Sequence, residues 1–229
     1  MSELEDLKKQ LKIKIKNENL LKLAFIHRSY LNEAKVKKES NERLEFLGDS
    51  ILSFSVSKYL YLNYPKLPEG ELTNLRSSVV KTQTLAIIAK ELNLGHFLKL
   101  SRGEEDGGGR NNPSILADTF EALLGAVFLD SGLSAVEKIL DKYLFVLFPQ
   151  IFKDKTYKDS KSSFQEMVQE ETKVSPVYKV VNEKGPDHAK EFTVAVFVNN
   201  NIWGEGLGKS KQEAEQKAAT SAIEKWKRK

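Results

Sequence analysis

Two hydrophobic periods divide the chain. From Leu4 to about Phe148, apolar residues recur at the three-to-four spacing that lines one face of an α-helix. The segments are Leu4–Leu11, Leu20–Ser29, Arg43–Leu62, Leu72–Leu92, Ile115–Leu129 and Leu133–Phe148. Helix breakers stand between them: Pro65 and Pro68 with Gly70, Gly95, the run Gly103–Pro113, and Ser131–Gly132. Ser114 is placed to cap the helix opening at Ile115, Pro149 closes the region, and Lys153–Ser163 has no apolar periodicity and reads as a linker. Beyond it the period shortens. A helix over Phe164–Glu171 precedes strands over Val177–Val181 and Phe192–Val198, a turn at Asn199–Asn201, a strand over Ile202–Glu205 and a helix from Ser210 to about Trp226. The pattern predicts a multi-domain, mainly α protein: an all-helical domain over 1–152, a linker over 153–162 and an αβββα domain over 163–229.

Composition narrows the chemistry. With 40% hydrophobic and 30% charged residues, both regions have the material for a packed core. The absence of cysteine excludes disulfides, thiolate metal sites, Fe–S clusters and a cysteine nucleophile. His27, His96 and His188 lie far apart along the chain, so an all-histidine zinc site requires all three to converge. No apolar run reaches the roughly 18 residues of a membrane span, and Met1–Lys16 is too charged for a signal-peptide core. The chain reads as cytoplasmic, with no membrane partner. Its 36 Lys+Arg against 32 Asp+Glu leave a net charge of +4, a lean toward a polyanion too small to identify one.

The acidic residues carry more. In Asn41-Glu-Arg-Leu-Glu-Phe-Leu-Gly-Asp-Ser50, Glu42, Glu45 and Asp49 fall within about 60° of one another on a helical wheel, and Leu44, Leu47, Ile51 and Phe54 form an opposed, buried stripe. By itself this triplet also fits an ordinary solvated acidic face. The segment Ile115–Leu129 changes the weighing: it is apolar almost all round, its only charges are Asp118 and Glu121, and it contains no Lys or Arg. Buried carboxylates without a partner are costly. Gly125, one turn past Glu121, lets another helix approach; if that helix is Arg43–Leu62, then Glu45, Asp49, Asp118 and Glu121 converge. Four carboxylates suit a hard cation such as Mg²⁺ or Mn²⁺, which lowers the pKa of a bound water and neutralises phosphodiester charge.

The run NERLEFLGDS at 41–50 resembles the signature motif of the ribonuclease III family, and SILADTFEALLGAVFLD at 114–130 resembles that family's second acidic motif. The αβββα tail resembles a double-stranded-RNA-binding domain, and the resemblance extends from Leu20 to Trp226. It implies a ribonuclease III endonuclease domain whose Glu45, Asp49, Asp118 and Glu121 bind catalytic Mg²⁺, with Mn²⁺ as a substitute and Asp49 and Glu121 the least replaceable. It further implies that Glu42, and Glu69 in the Pro-Glu-Gly-Glu stretch, lie near the scissile strand. The implied reaction is metal-assisted hydrolysis of double-stranded RNA to 5′-phosphate and 3′-hydroxyl ends, in processing of rRNA precursors and some mRNAs. Phe46 sits about 40° from Glu42 on the wheel, on the acidic side. It either packs under its own domain's loops or contacts a second copy, as the homodimer of the family implies.

In the tail, the resemblance implies minor-groove contacts by Gln165, Glu166 and His188, and phosphate contacts by Lys209, Lys211 and Lys217 at the start of the last helix. A-form RNA is read by shape across its minor grooves, which suits such a set. The tail departs from the family where Gln212 follows Lys211 and where Glu215 occupies a position that some members give to lysine. Weaker phosphate binding is expected, so the tail assists rather than anchors. Gly204-Glu-Gly-Leu-Gly-Lys-Ser210 is one residue short of a phosphate-binding loop and follows the wrong element, so no nucleotide cofactor is expected. Gly103–Asn112 reads as a mobile loop, His27-Arg-Ser-Tyr30 as a structural polar cluster, and Lys225–Lys229 as a solvated tail. A noncatalytic RNA-binding protein is the rival reading, but it gives crowded, self-repelling acids no purpose. A small-molecule phosphohydrolase has no use for the tail.

Overall fold

The computed structural model describes residues 4–31, 33, 39–154, 160–186 and 190–228. Residues 155–159 of the expected linker, and the loop position His188, lie outside them. The chain forms two compact units, 1–157 and 158–229. In the first, α1 (Leu4–Leu11), α2 (Glu18–Leu23), α3 (Arg28–Leu31), α4 (Glu42–Asn63), α5 (Glu69–Val79), α6 (Thr82–Glu91), α7 (Leu94–Phe97), α8 (Arg102–Asp106), α9 (Pro113–Ser131), α10 (Leu133–Tyr143) and α11 (Phe148–Asp154) follow in order. A single parallel bridge joins Ile26 to Lys99.

Helix α9 is the axis of this unit. From Ile115 to Val127 every residue is buried except Asp118 and Glu121, because α2, α4, α6 and α10 all pack around it. The closest crossing is with α4, where two glycines interlock. A methyl group on Gly48 would collide with the carbonyl of Glu121, and one on Gly125 would collide with the carbonyl of Leu44. The close approach inferred from Gly125 is therefore reciprocal, and Gly48 is its other half.

Several local expectations change. The buried line of α4 is Leu44, Gly48, Leu52, Ser55, Val56 and Leu60; Leu47 and Ile51 are half-buried and Phe54 is 54% exposed. The stripe rotates because α4 docks through its glycine, not through its largest side chains. Leu72–Leu92 is two helices, broken after Val79. The cap of α9 is Asn112, whose side chain accepts from the backbone N–H groups of Ser114 (2.9 Å) and Ile115 (3.5 Å), with Pro113 in the first turn. Gly103–Asn112 is ordered as α8 and a 3₁₀ turn over Gly109–Asn111, not a mobile loop. Arg110 pins it by donating to the carbonyls of Gly95 (2.9 Å) and Leu98 (3.0 Å) and to Glu105 (2.7 Å). Pro149 lies in the first turn of α11, where its missing N–H costs nothing.

The second unit runs α12 (Ser160–Thr172), β1 (Val177–Lys184), β2 (Glu191–Val198), β3 (Asn201–Gly208) and α13 (Lys211–Trp226), with an antiparallel sheet in the order β1-β2-β3. Its core joins Phe164 and Val168 of α12, Val194, Val196 and Val198 of β2, and Ala214, Ala218, Ala222 and Trp226 of α13. In α13, Lys217, Ser221 and Lys225 are exposed, and Trp226 takes the buried end. Gly204 and Gly206 leave no room for a Cβ beneath α13, so helix and strand meet backbone to backbone. The hairpin turns on Asn199 (φ 49°) and Asn200 (φ 64°), the positive pair that a two-residue turn requires.

Candidate active site

The glycine crossing brings one turn of α4 against one turn of α9. Among the described residues, Glu45, Asp118 and Glu121 each turn a carboxylate oxygen inward so that the three atoms lie within 4.8 Å of one another. All three side chains are half-buried. Burial and the neighbouring charges of Asp49, Asp118 and Glu45 push Glu121 up to about 8. Burial first, then Asp118, Glu42 and Asp49, raises Glu45, with Arg28 opposing. Burial likewise raises Asp118, and the charge of His27 lowers it in part. Carboxylates whose proton affinities are all raised by burial and mutual crowding form a group that could hold a cation in place of protons. The hard-oxygen donors fit a divalent ion of the Mg²⁺ or Mn²⁺ type.

The structure gathers some expected residues here and leaves others apart. Asp49 is exposed at the rim, near enough to act on Glu121 but not among the three converging atoms. Glu42, at the start of α4, accepts the Ser40 hydroxyl at 2.7 Å and faces Arg28 Nη1 at 3.7 Å. Glu69 is elsewhere: it accepts the Thr73 hydroxyl at 3.0 Å and lines a cavity of about 440 Å³ with Phe54, Tyr61, Leu72 and Arg76. Phe46 does not pack under its own domain; it is 78% exposed.

Asn41 is a positioning residue that sequence reading passed over. It is buried; its N–H donates to Ile26 O at 2.8 Å and its amide to Ala24 O at 3.2 Å, fixing where α4 begins. Its one legible signal is its place before the helix, which suggests a cap it does not make. His27 matches the structural reading, with Nδ1 2.8 Å from the Ser29 hydroxyl, although its charge also reaches Asp118.

On the second unit Gln165, Glu166, Lys209, Lys211 and Lys217 are all exposed. Ser210 caps α13 by accepting from Glu213 N–H (3.1 Å), and Glu213 accepts from Lys209 N–H (2.8 Å). Lys217 is held by Glu213 at 2.7 Å and Lys211 faces Glu183 at 3.6 Å. Glu215 is neutralised by Lys161 at 2.7 Å, so the acids beside the lysine cluster are Glu213 and Glu183.

Comparison with known proteins agrees with this division. A ribonuclease-III-like family model matches residues 17–148, and a double-stranded RNA binding motif matches residues 160–225. The chain belongs to the ribonuclease III family. It is 47% identical to ribonuclease 3 of Streptococcus sanguinis over 97% of each chain. It is 45% identical to that of Borreliella burgdorferi over 97% of this chain and 91% of the relative. The solved nuclease domain of ribonuclease III from Campylobacter jejuni superposes with a TM-score of 0.60 at 40% identity, covering 66% of this chain and 99% of that one. A second structure of that domain, with a TM-score of 0.59, covers 64% of this chain and 99% of its own and is described as flexible in a region involved in dimer formation. Among the described residues, no helix of this family member is long and apolar enough to cross a membrane.

Proposed function

We propose that this ribonuclease III family member is a homodimeric, Mg²⁺-dependent endoribonuclease of double-stranded RNA, acting in the cytoplasm on rRNA precursors and some mRNAs. Residues 1–152 cut and 163–229 bind the duplex, joined through 153–162. The observation that carries the reading is the convergence of Glu45, Asp118 and Glu121 on the one otherwise apolar stretch of α9. Such crowding costs stability without a cation.

Those three carboxylates would hold the ion, with Asp49 facing it from the open rim. When bound, it supplies a water of lowered pKa and neutralises charge on the phosphodiester. The chain's own part is to fix the ligands on two rigid, interlocked helices and to keep the inner side of the site dry with α9's buried neighbours. Glu42 flanks the site on the same helix. Glu69, on a different face, would serve RNA bound across a dimer rather than this carboxylate set. Phe46, Phe54 and Tyr61, exposed along α4, support the dimer. Gln165, Glu166, His188, Lys209, Lys211 and Lys217 would contact the RNA.

The test is cleavage of a long RNA duplex with and without Mg²⁺, beside Glu121→Gln. Cutting is expected only from the unaltered protein with metal. Binding without cutting refutes the nuclease reading, and equal cutting by Glu121→Gln refutes the site.

A further inference from the structure

The acidic site must receive a polyanion, so the cations around it decide how phosphate approaches. A single dipeptide reaches two of the three carboxylates: the charge of Arg28 acts on Glu45, and His27 acts on Asp118. The backbone beneath them is clamped on both sides. Asn41 N–H donates to Ile26 O (2.8 Å), His27 N–H donates to Lys99 O (3.1 Å), and Lys99 N–H donates to Phe25 O (2.8 Å). The Ser29 hydroxyl accepts from Ser101 N–H at 3.0 Å and meets His27 Nδ1 at 2.8 Å. His27 is thereby tied into this clamp, whereas the Arg28 side chain is 74% exposed and, among the described residues, meets a long contact, 3.7 Å, to Glu42. Glu42 already accepts the Ser40 hydroxyl at 2.7 Å. A pinned backbone carrying a loosely held guanidinium beside an acidic site is arranged for an exchange of partners. A planar guanidinium prefers the bidentate geometry a phosphate offers over a single long carboxylate contact.

We propose that Arg28 binds an RNA backbone phosphate beside the acidic site, and that Glu42 holds its guanidinium in place until RNA arrives. This rests on the nuclease reading above. It makes Arg28 a substrate-binding residue and Glu42 a positioning residue that acts through it. The clamp on residues 25–29 sets where the phosphate lies, so Arg28 gives register to the strand and carries no base information.

The experiment measures binding of the full chain to a 30-base-pair RNA duplex over a range of salt concentrations, and cleavage with Mg²⁺. Arg28→Ala is expected to weaken binding about tenfold and to reduce the slope of log K against log salt by about one per Arg28 engaged. Its KM rises more than its kcat falls, and its unfolding midpoint is unchanged because the side chain is exposed. Arg28→Lys restores the salt slope but only part of the affinity. Glu42→Gln tightens binding several-fold, and that gain shrinks in the Arg28→Ala background; a gain of equal size there is simple charge repulsion and overturns the role of Glu42. Unchanged salt slope and KM in Arg28→Ala, with the unaltered protein cutting normally, overturn the role of Arg28 alone. Failure of the unaltered protein to cut overturns the nuclease reading instead.

Discussion

Glu121 couples the site to stability. With no metal its carboxyl is pushed up to about 8, from an ordinary value near 4.5. The folded state therefore holds a proton that the unfolded chain has released across that window. Stability follows the excess of protons bound by the unfolded state, which is negative here, so it falls as pH rises. The contribution is whole below about 4.5 and is lost by about 8. In chelator, the melting temperature is expected to drop between pH 5 and pH 8, and Glu121→Gln, which has no proton to lose, flattens that slope. Added Mg²⁺ raises the melting temperature of the unaltered protein more at pH 8 than at pH 5, because the ion competes with the proton. Calorimetry across pH checks both. At this scale much was readable: two charges on an apolar helix are conspicuous in any sequence. Arg28 and Asn41 were not, because their importance lies in what they touch. The ion pair with Glu42 and the bond to Ala24 O join residues 14 and 17 positions apart in the chain.

Among the elements, the α4–α9 crossing does most to place the site. Gly48 and Gly125 each face the opposite backbone, so Ala at either position forces the helices apart. Overpacking of this kind costs about 1–3 kcal/mol, and the crossing holds Glu45 against Glu121. Gly125→Ala is expected to lose that much in denaturant titration and to lose cleavage disproportionately, since small displacements of positioned groups are costly to rate. Substitution at Gly70 or Gly103, where no atom lies near a would-be Cβ, has no such effect on cleavage. Helix existence was legible because periodicity reports it directly. The face of α4 that turns inward was not: a wheel built on the bulkiest residues selects Phe54, whereas docking through Gly48 leaves it exposed. Segment ends shifted for similar reasons, with Asn112 rather than Ser114 capping α9.

Each unit has its own hydrophobic core, one around α9 and one between the sheet and its two helices. Deleting residues 153–229 is therefore expected to leave the helical unit folded and able to cut duplex RNA at low salt. Cutting is expected to be lost near 200 mM salt, because the deleted part is the match to a double-stranded RNA binding motif and, on the proposed reading, supplies phosphate contacts. Retained helical circular dichroism with salt-sensitive cleavage is the outcome to look for. Lys211 and Lys217 both face carboxylates, so that contribution is expected to be modest. The sequence by itself determined the two-unit plan, the helical and strand periods, the pairing of acids with an apolar helix and the family, since each rests on local spacing or residue type. Only the tertiary structure decided which acids meet, that Asp49 is exposed beside them while Glu69 lines a cavity with Phe54 and Arg76, and that Arg28 reaches Glu42. Those outcomes depend on the rotation and closeness of packed helices, and a few degrees about an axis decide whether a side chain faces a cavity, a neighbour or water.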